Sequence, residues 1–477
     1  MRIALVNVQY HEGNNVFPPL GLLYVAGALR EAGHELRVLD GDPTRRDLTS
    51  SVVDFRPELI GLSFLTMTFD RARDLAAELK RRLPEALLLG GGAHATVDPE
   101  GTLADTVLDA VAVGEGERTA VELAAALASG APLERVAGVV TRAGRGPERE
   151  TVEDLDSLPF PARDLLGHAP YLRPPGLIRG WASSGIASML ASRGCPFRCS
   201  YCGSHRQLGR DVRIRSVDDV LAELDLLVQR DGIRGMYWVD DVFTHDRAWT
   251  LAFCEALARR PYRLRWGCQS RVSAVDEQLL RAMRRAGCVQ IDFGVESGSK
   301  EVLRSMHKGI EPMQVEEAFS LTRRLGLRTG ASFILGSPGE SEQDIEATAA
   351  LADRIRPDWT VFFYSTPYPG TDLWKKERHS PQAAAWPAYG EQWNNRVSRD
   401  PFPGSHLPGP DLVAWRSRLQ NRHFRRNYMR ARNLPFILRL ARTLPRPEVR
   451  GAIAQAALGS GRLDDVVEAA FASWRGE

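Results

Sequence analysis

Three cysteines stand at i, i+4 and i+7 in the run Ser192-Arg193-Gly194-Cys195-Pro196-Phe197-Arg198-Cys199-Ser200-Tyr201-Cys202. Thiolates are the soft ligands that iron–sulfur clusters and zinc prefer, so the triplet points to a metal centre. The count of three is informative. A structural zinc site closes its tetrahedron, whereas a [4Fe-4S] cluster held by three cysteines leaves one iron open to a substrate's donor atoms. His205, just past Cys202, is the concrete competitor, because it would complete a Cys₃His zinc set. Zinc leaves unexplained why the loop follows an apolar strand and why an aromatic, Tyr201, precedes the last cysteine. Cys254, Cys268 and Cys288 share no such spacing and read as buried core thiols.

The elements that position this loop are legible from periodicity. In residues 1–135, short β-branched runs (3–8, 35–39, 59–64, 86–89, 110–113) alternate with helical stretches (20–32, 69–82, 118–129). This predicts an α/β domain, a Rossmann-like parallel sheet with helices on both faces and ligands at the strands' carboxyl ends. The loops after Val8, Phe64, Leu89 and Val113 then share one rim. Residues 136–185 lose periodicity, gather prolines and read as a linker. A second βα series spans residues 186–370, with strands at 186–191, 235–239, 263–268, 289–294, 328–335 and 359–364. It predicts a partial or complete parallel (β/α) barrel with its chemistry at the C-terminal strand ends. Residues 371–477 open with aromatic and proline-rich loops (Trp374, Trp386, Tyr389, Trp393, Phe402) and continue as a mainly helical region from Asp411 to about Trp474.

Composition narrows the class. The 477 residues make roughly three domains at about 150 residues each, and 62 basic against 60 acidic residues leave a net charge of only +2. No whole-molecule field draws such a chain to nucleic acid, so none is expected as a partner. The first apolar run is too short for a signal peptide, and no window approaches the roughly 18–20 apolar residues of a spanning helix. A cytoplasmic monomer is expected. Six cysteines in so long a chain are no disulfide framework, and a reducing compartment favours metal or catalytic roles for those that cluster.

Cys-x₃-Cys-x-aromatic-Cys after a barrel strand resembles the radical S-adenosylmethionine (SAM) superfamily. The resemblance implies that Cys195, Cys199 and Cys202 hold the cluster, whose open iron chelates SAM. By the same resemblance Tyr201 belongs to the site, and Asp240 and Asp241 after the second strand hold SAM's ammonium. Their competing role is capping the helix expected at 246–259. Arg271, after the third strand, is placed to pair SAM's carboxylate. Glu296, in Gly294-Val295-Glu296-Ser297-Gly298, looks like a ribose or methionyl contact, and Gly336 lets backbone approach the adenine.

The first domain extends the resemblance. Leu20 and Gly21 follow two prolines, Ser63 and Thr68 flank an apolar loop, Gly91 and Gly92 lead to His94, and Gly114-Glu115-Gly116 lies at the fifth strand's end. In this order, upstream of such a barrel, they resemble the cobalamin-binding domain of B12-dependent radical SAM enzymes, over residues 1 to about 370. The Asp-x-His-x-x-Gly signature that supplies a histidine to cobalt is absent, since His11 lies in Gln9-Tyr10-His11-Glu12-Gly13. No histidine ligand is therefore expected, and His94 is expected at the nucleotide tail.

The resemblance implies a [4Fe-4S] cluster, SAM and cobalamin as cofactors, a 5′-deoxyadenosyl radical that takes hydrogen from an unactivated carbon, and methyl delivery from cobalamin to a small-molecule substrate at carbon or phosphorus. It also implies a flavodoxin- or ferredoxin-type electron donor. Three other outcomes share these residues: rearrangement or oxidative cyclisation as in the Mg-protoporphyrin ester cyclase branch, a radical SAM oxidoreductase with a vestigial cobalamin domain, and a non-catalytic cobalamin- or metal-binding scaffold. Between Asp411 and Arg450 eleven arginines face two acidic residues. This reads as a solvated helical face packed on the barrel, with anionic-partner docking as one alternative and membrane-surface contact by residues 428–444 as the other.

Overall fold

The computed structural model describes residues 1–8, 17–41, 48–167, 169–172, 185–379, 407–428 and 450. Tyr10, His11, Trp386, Tyr389, Trp393, Phe402 and the helices expected beyond residue 428 lie outside them.

The first domain is a six-stranded sheet ordered β2-β1-β3-β4-β5-β6. Its strands are β1 (Arg2–Val8), β2 (Glu35–Gly41), β3 (Leu59–Ser63), β4 (Leu87–Gly91), β5 (Ala110–Ala112) and β6 (Val139–Thr141). Alternate residues of β1 feed different cores: Ala4 and Val6 pack on one face, Ile3 and Leu5 on the other. Both faces are thus buried, as the near-continuous apolar runs require. The sheet differs from the all-parallel expectation at β6, which pairs antiparallel to β5 and falls within the stretch read as linker. A three-residue edge strand carries too little pattern to be seen in sequence.

The second sheet is fully parallel, with order β14-β13-β12-β11-β10-β7. Its strands are β7 (Ile186–Met189), β10 (Gly235–Trp238), β11 (Arg265–Ser270), β12 (Cys288–Glu296), β13 (Arg328–Leu335) and β14 (Trp359–Tyr364). β7 and β14 are not paired with each other, so this is a partial barrel. A short antiparallel pair, β8 (Ser192–Arg193) and β9 (Arg213–Ile214), forms the neck of the loop that carries the cysteines. Helix starts are set locally. Ser216, Asp246, Asp276, Ser299, Ser341 and Thr371 each accept a backbone N–H of the first turn of the helix that follows.

The helix Gly409–Tyr428 covers the β14 edge. Gln420 accepts from Phe362 N (3.1 Å) and donates to Thr360 O (3.0 Å), while Arg416 Nε donates to Phe362 O (2.7 Å). Side-chain amide and guanidinium thus stand in for a missing seventh strand. Arg418, Arg422, Arg425 and Arg426 are exposed, Arg422 and Arg426 pairing Asp353, while Arg416, Leu412 and Leu419 are buried.

Candidate active site between two strand rims

The cysteine loop leaves the partial barrel at the C-terminal end of β7 and returns through β9. Gly194 turns it with φ +98°, and a Cβ there would run into the Asp211 carbonyl. Backbone bonds then fix it: Cys195 N to Gly209 O (3.2 Å), Ser200 N to Met306 O (2.9 Å) and Leu373 N to Ser200 O (2.8 Å). Cys199 is buried, while Cys195 and Cys202 are half-buried. Burial pushes the Cys202 thiol up to about 11, with Asp241 and the other two thiols adding to the rise, and burial raises Cys195 in the same way. Among the described residues no three His, Cys, Asp or Glu side chains gather tightly enough to ligate one ion. A [4Fe-4S] cluster would take Cys195, Cys199 and Cys202 on separate irons, so its ligands need no convergence on one point.

Around the thiols the fold sets cationic and polar groups. Arg271 Nη1 lies 3.7 Å from Cys199 Sγ, and its guanidinium stacks on Phe197 at 3.7 Å and donates to Lys308 O. Asp241 accepts from Ser204 Oγ at 2.5 Å, on the helix Ser204–Leu208 that follows the cysteines. Glu296 sits at φ +70°, where the β12–β13 register shifts, and pairs with Lys308 Nζ at 2.7 Å. Lys308 Nζ also lies 3.2 Å from Tyr201 Oη. Burial, then the Glu296 carboxylate, holds the Tyr201 phenol well above its ordinary range. Lys308 was not anticipated; its one sequence signal is rarity, as lysine occurs at only five positions against 57 arginines.

Several expected contacts sit elsewhere. Asp240 is buried beneath the loop stalk, accepting from Ala191 N (3.1 Å), Ser192 N (2.5 Å) and Ser192 Oγ (2.6 Å). Burial pushes its carboxyl up to about 6. Neither Asp240 nor Asp241 caps the following helix, whose cap is Asp246. His94 lies in the core of the first domain, its ring 4.5 Å from Phe69 and its Nδ1 3.1 Å from Thr66 Oγ1. Burial lowers it to about 4, so it packs as a neutral ring. Thr68 closes a local turn through Leu65 N. Gly336, φ +82°, is pressed by Leu412 where a Cβ would stand. Glu115 faces the barrel domain: Arg213 forks its carboxylate with two 2.9 Å bonds, and Arg193 lies at 3.2 Å.

The remaining first-domain positions do share the rim. A Cβ at Gly21 or Gly114 would meet nothing within 4 Å, and one at Gly91 only Leu62 O at 4.0 Å, so backbone there is open to a large ligand. Gly92, by contrast, is tight against Phe64 O (2.8 Å), and Gly116 against Val25 (3.0 Å). Leu20 is buried and Ser63 half-buried at the β3 end. This rim meets that of the barrel. The helix Ala93–Val97 packs against Ser204–Leu208, Val97 against Gly370, and Phe17 lies 6.2 Å from Tyr237.

Comparison with known proteins agrees with this geometry. Residues 189–352 match the radical SAM superfamily and residues 10–124 the B12 binding domain. An uncharacterised methyltransferase of Pyrococcus horikoshii is 33% identical over 366 residues, 75% of this chain and 78% of the relative. The anaerobic magnesium-protoporphyrin IX monomethyl ester cyclase of Rubrivivax gelatinosus is 28% identical over 395 residues, 79% and 70% of the two chains. The radical S-adenosylmethionine methyltransferase TsrM of Kitasatospora setae, solved with cobalamin and a [4Fe-4S] cluster, shares the fold with a TM-score of 0.65 at 22% identity, covering 78% of this chain and 73% of that one. A cluster-type cysteine loop on a partial barrel, facing a B12 binding domain, defines a radical SAM enzyme with a second cofactor site. The chain belongs to the family of cobalamin-dependent radical SAM enzymes, whose cofactors are a [4Fe-4S] cluster, SAM and cobalamin. Among the described residues no helix is long and apolar enough to cross a membrane.

Proposed function

We propose that this enzyme transfers a methyl group to an unactivated carbon, or to phosphorus, of a small molecule held between the two rims. The observation that carries the reading is the packing of Ser204–Leu208, the helix that follows the cysteines, against Ala93–Val97, the helix that follows Gly91, which brings the two rims together. Bound, the cluster and SAM supply a radical that removes hydrogen, and cobalamin supplies the methyl group.

The chain's own residues bind, orient and exclude. Cys195, Cys199 and Cys202 hold the cluster, and Arg271 places positive charge at Cys199. Asp241, Arg271 and Glu296 line the SAM side, with Tyr201 and Lys308 fixing the Glu296 carboxylate. Leu20, Gly21, Ser63, Gly91, Gly114 and Gly116 line the cobalamin side. The converging rims keep water from the reacting carbon and hold it in position, which is where the protein contributes most. Exposed Arg198, Arg206, Lys375 and Lys376 on and beside the cysteine loop suit an acidic electron donor of the flavodoxin or ferredoxin type. One chain supplies both sites, which supports action as a monomer, and six free thiols suit the reducing cytoplasm.

The test is anaerobic turnover with titanium citrate and SAM labelled in its methyl group, over substrates chosen from the genomic neighbourhood. Label in the product together with 5′-deoxyadenosine is expected. Deoxyadenosine with an unlabelled, cyclised product would instead place the enzyme with the cyclase relative, and no SAM cleavage would overturn the catalytic reading.

A further inference from the structure

We propose that a buried joint of two glutamates and two arginines between the domains couples cobalamin binding to the ordering of the cysteine loop. The inference rests on the cofactor sites of the family and not on which group is transferred.

The first domain contributes Glu115 and Glu117, at the start of the helix Gly116–Ser129 and directly after Gly114, whose backbone is open and at φ +81°. The barrel domain contributes Arg193 and Arg213, the paired residues of β8 and β9. Arg213 forks the Glu115 carboxylate, which also accepts Val152 N–H at 2.8 Å. Arg193 divides its guanidinium between Glu115 Oε1 (3.2 Å) and Glu117 Oε1 (2.6 Å). Every one of these side chains is at most 8% exposed. Burial would raise Glu115, but its Arg213 and Val152 donors and the charge of Arg193 outweigh it and hold the group below the ordinary carboxylate range.

The seam continues on the other side of the stalk. Arg215 donates to Leu190 O (2.9 Å), Glu223 Oε2 (2.6 Å) and Tyr24 Oη (3.3 Å), and Arg163 joins Glu223 Oε1 (2.9 Å) to Ser188 O (2.8 Å). Tyr24 lies on the first helix of the first domain, its ring 5.0 Å from the Arg193 guanidinium.

All three cysteines lie between Arg193 and Arg213, so they project from a neck clamped to the first domain. A buried ion pair contributes little net stability, because desolvation offsets its attraction; what it supplies is one permitted arrangement. Here that arrangement sets the cysteine loop relative to the Gly114 loop. A ligand that orders either loop orders the joint, and through it the other. Coupling of this kind is reciprocal by linkage, and typical values are about 5- to 150-fold in affinity. Glu115, Glu117, Arg193 and Arg213 are accordingly positioning residues.

The experiment measures the Kd for hydroxocobalamin of the full-length chain, with its cluster reconstituted and with the cluster removed, in the wild type and in Glu117→Gln and Arg193→Lys. The wild type is expected to bind at least about 5-fold more tightly with the cluster present, and both variants to bring that ratio to within about twofold of one while keeping their iron content. A wild-type ratio of one, or a ratio that survives in folded variants, overturns the proposal. Should neither variant fold, hydrogen exchange on the cluster-free wild type decides it: hydroxocobalamin slows exchange across residues 186–202 if the joint transmits order and leaves it unchanged if not. Neither readout requires methyl transfer, so failure of the proposed reaction and failure of the coupling remain distinguishable.

Discussion

Replacing Asp240 by alanine separates two roles that a carboxylate at a strand end can play. If it is a latch under the cysteine stalk, the Asp240→Ala chain loses the acceptor for the Ala191 and Ser192 N–H groups, while the Ser192 hydroxyl can rotate to another partner. Each orphaned buried donor costs about 1–3 kcal/mol, so the loss is about 2–6 kcal/mol. At about 2–4 °C per kcal/mol for a domain of this size, the melting temperature of the cluster-free chain, with no SAM present, falls by about 4–24 °C. Asp240→Asn keeps one acceptor oxygen and loses less. The pH dependence gives a second reading. Burial raises the folded carboxyl to about 6, above the roughly 3.9 of an unfolded chain. The stability contribution is therefore complete below pH ~4 and is lost as pH rises to about 6, a change of roughly 3 kcal/mol. Asp240→Asn cannot ionise, so the wild type declines over that window by roughly 3 kcal/mol more than the variant does. Thermal unfolding followed by circular dichroism from pH 4 to 7.5 measures both effects. An Asp240→Ala chain that melts within 1 °C of wild type yet binds SAM poorly would refute the latch and return the residue to ligand binding.

Three further outcomes follow from the site and its supports. Cys199→Ala leaves the cluster two ligands, so the chain stays folded but loses iron and the brown absorbance after anaerobic reconstitution, and SAM cleavage falls to background. Lys308→Met strands the buried Glu296 carboxylate and costs about 3–5 kcal/mol in urea unfolding, most of which the double variant with Glu296→Gln recovers. Gln420→Ala frees Phe362 N and Thr360 O at the β14 edge, costs about 2–4 kcal/mol, and increases aggregation measured by light scattering on mild heating.

What the sequence made legible is what local chemistry dictates. The cysteine spacing, the βα alternation and the strands at 328–335 and 359–364 follow from residues close together in the chain. Partner choice across distance is another matter. Asp240 and Asp241 are adjacent and chemically identical, yet strand geometry turns one under the stalk and leaves the other beside the thiols. Glu115 sits in a glycine-lined rim loop, as a cofactor contact would, but its partner Arg213 is 98 residues away and β9 alone brings it near. His94 follows the glycine run at the rim, and the buried rings of Phe64 and Phe69 draw it into the core. A carboxylate or imidazole reads the same in one dimension whether it faces ligand or protein, so the sequence locates such a residue without fixing its partner. Each rim here both faces a cofactor site and grips the opposite domain, so polar residues at its strand ends serve either purpose. Satisfaction of the group, more than its position in the fold, separates the adjacent aspartates: Asp240 accepts from Ala191 N, Ser192 N and Ser192 Oγ and Glu115 from Arg213 and Val152 N, so both are engaged in gripping protein, whereas Asp241, beside the thiols, accepts from Ser204 Oγ and keeps acceptor capacity for a ligand.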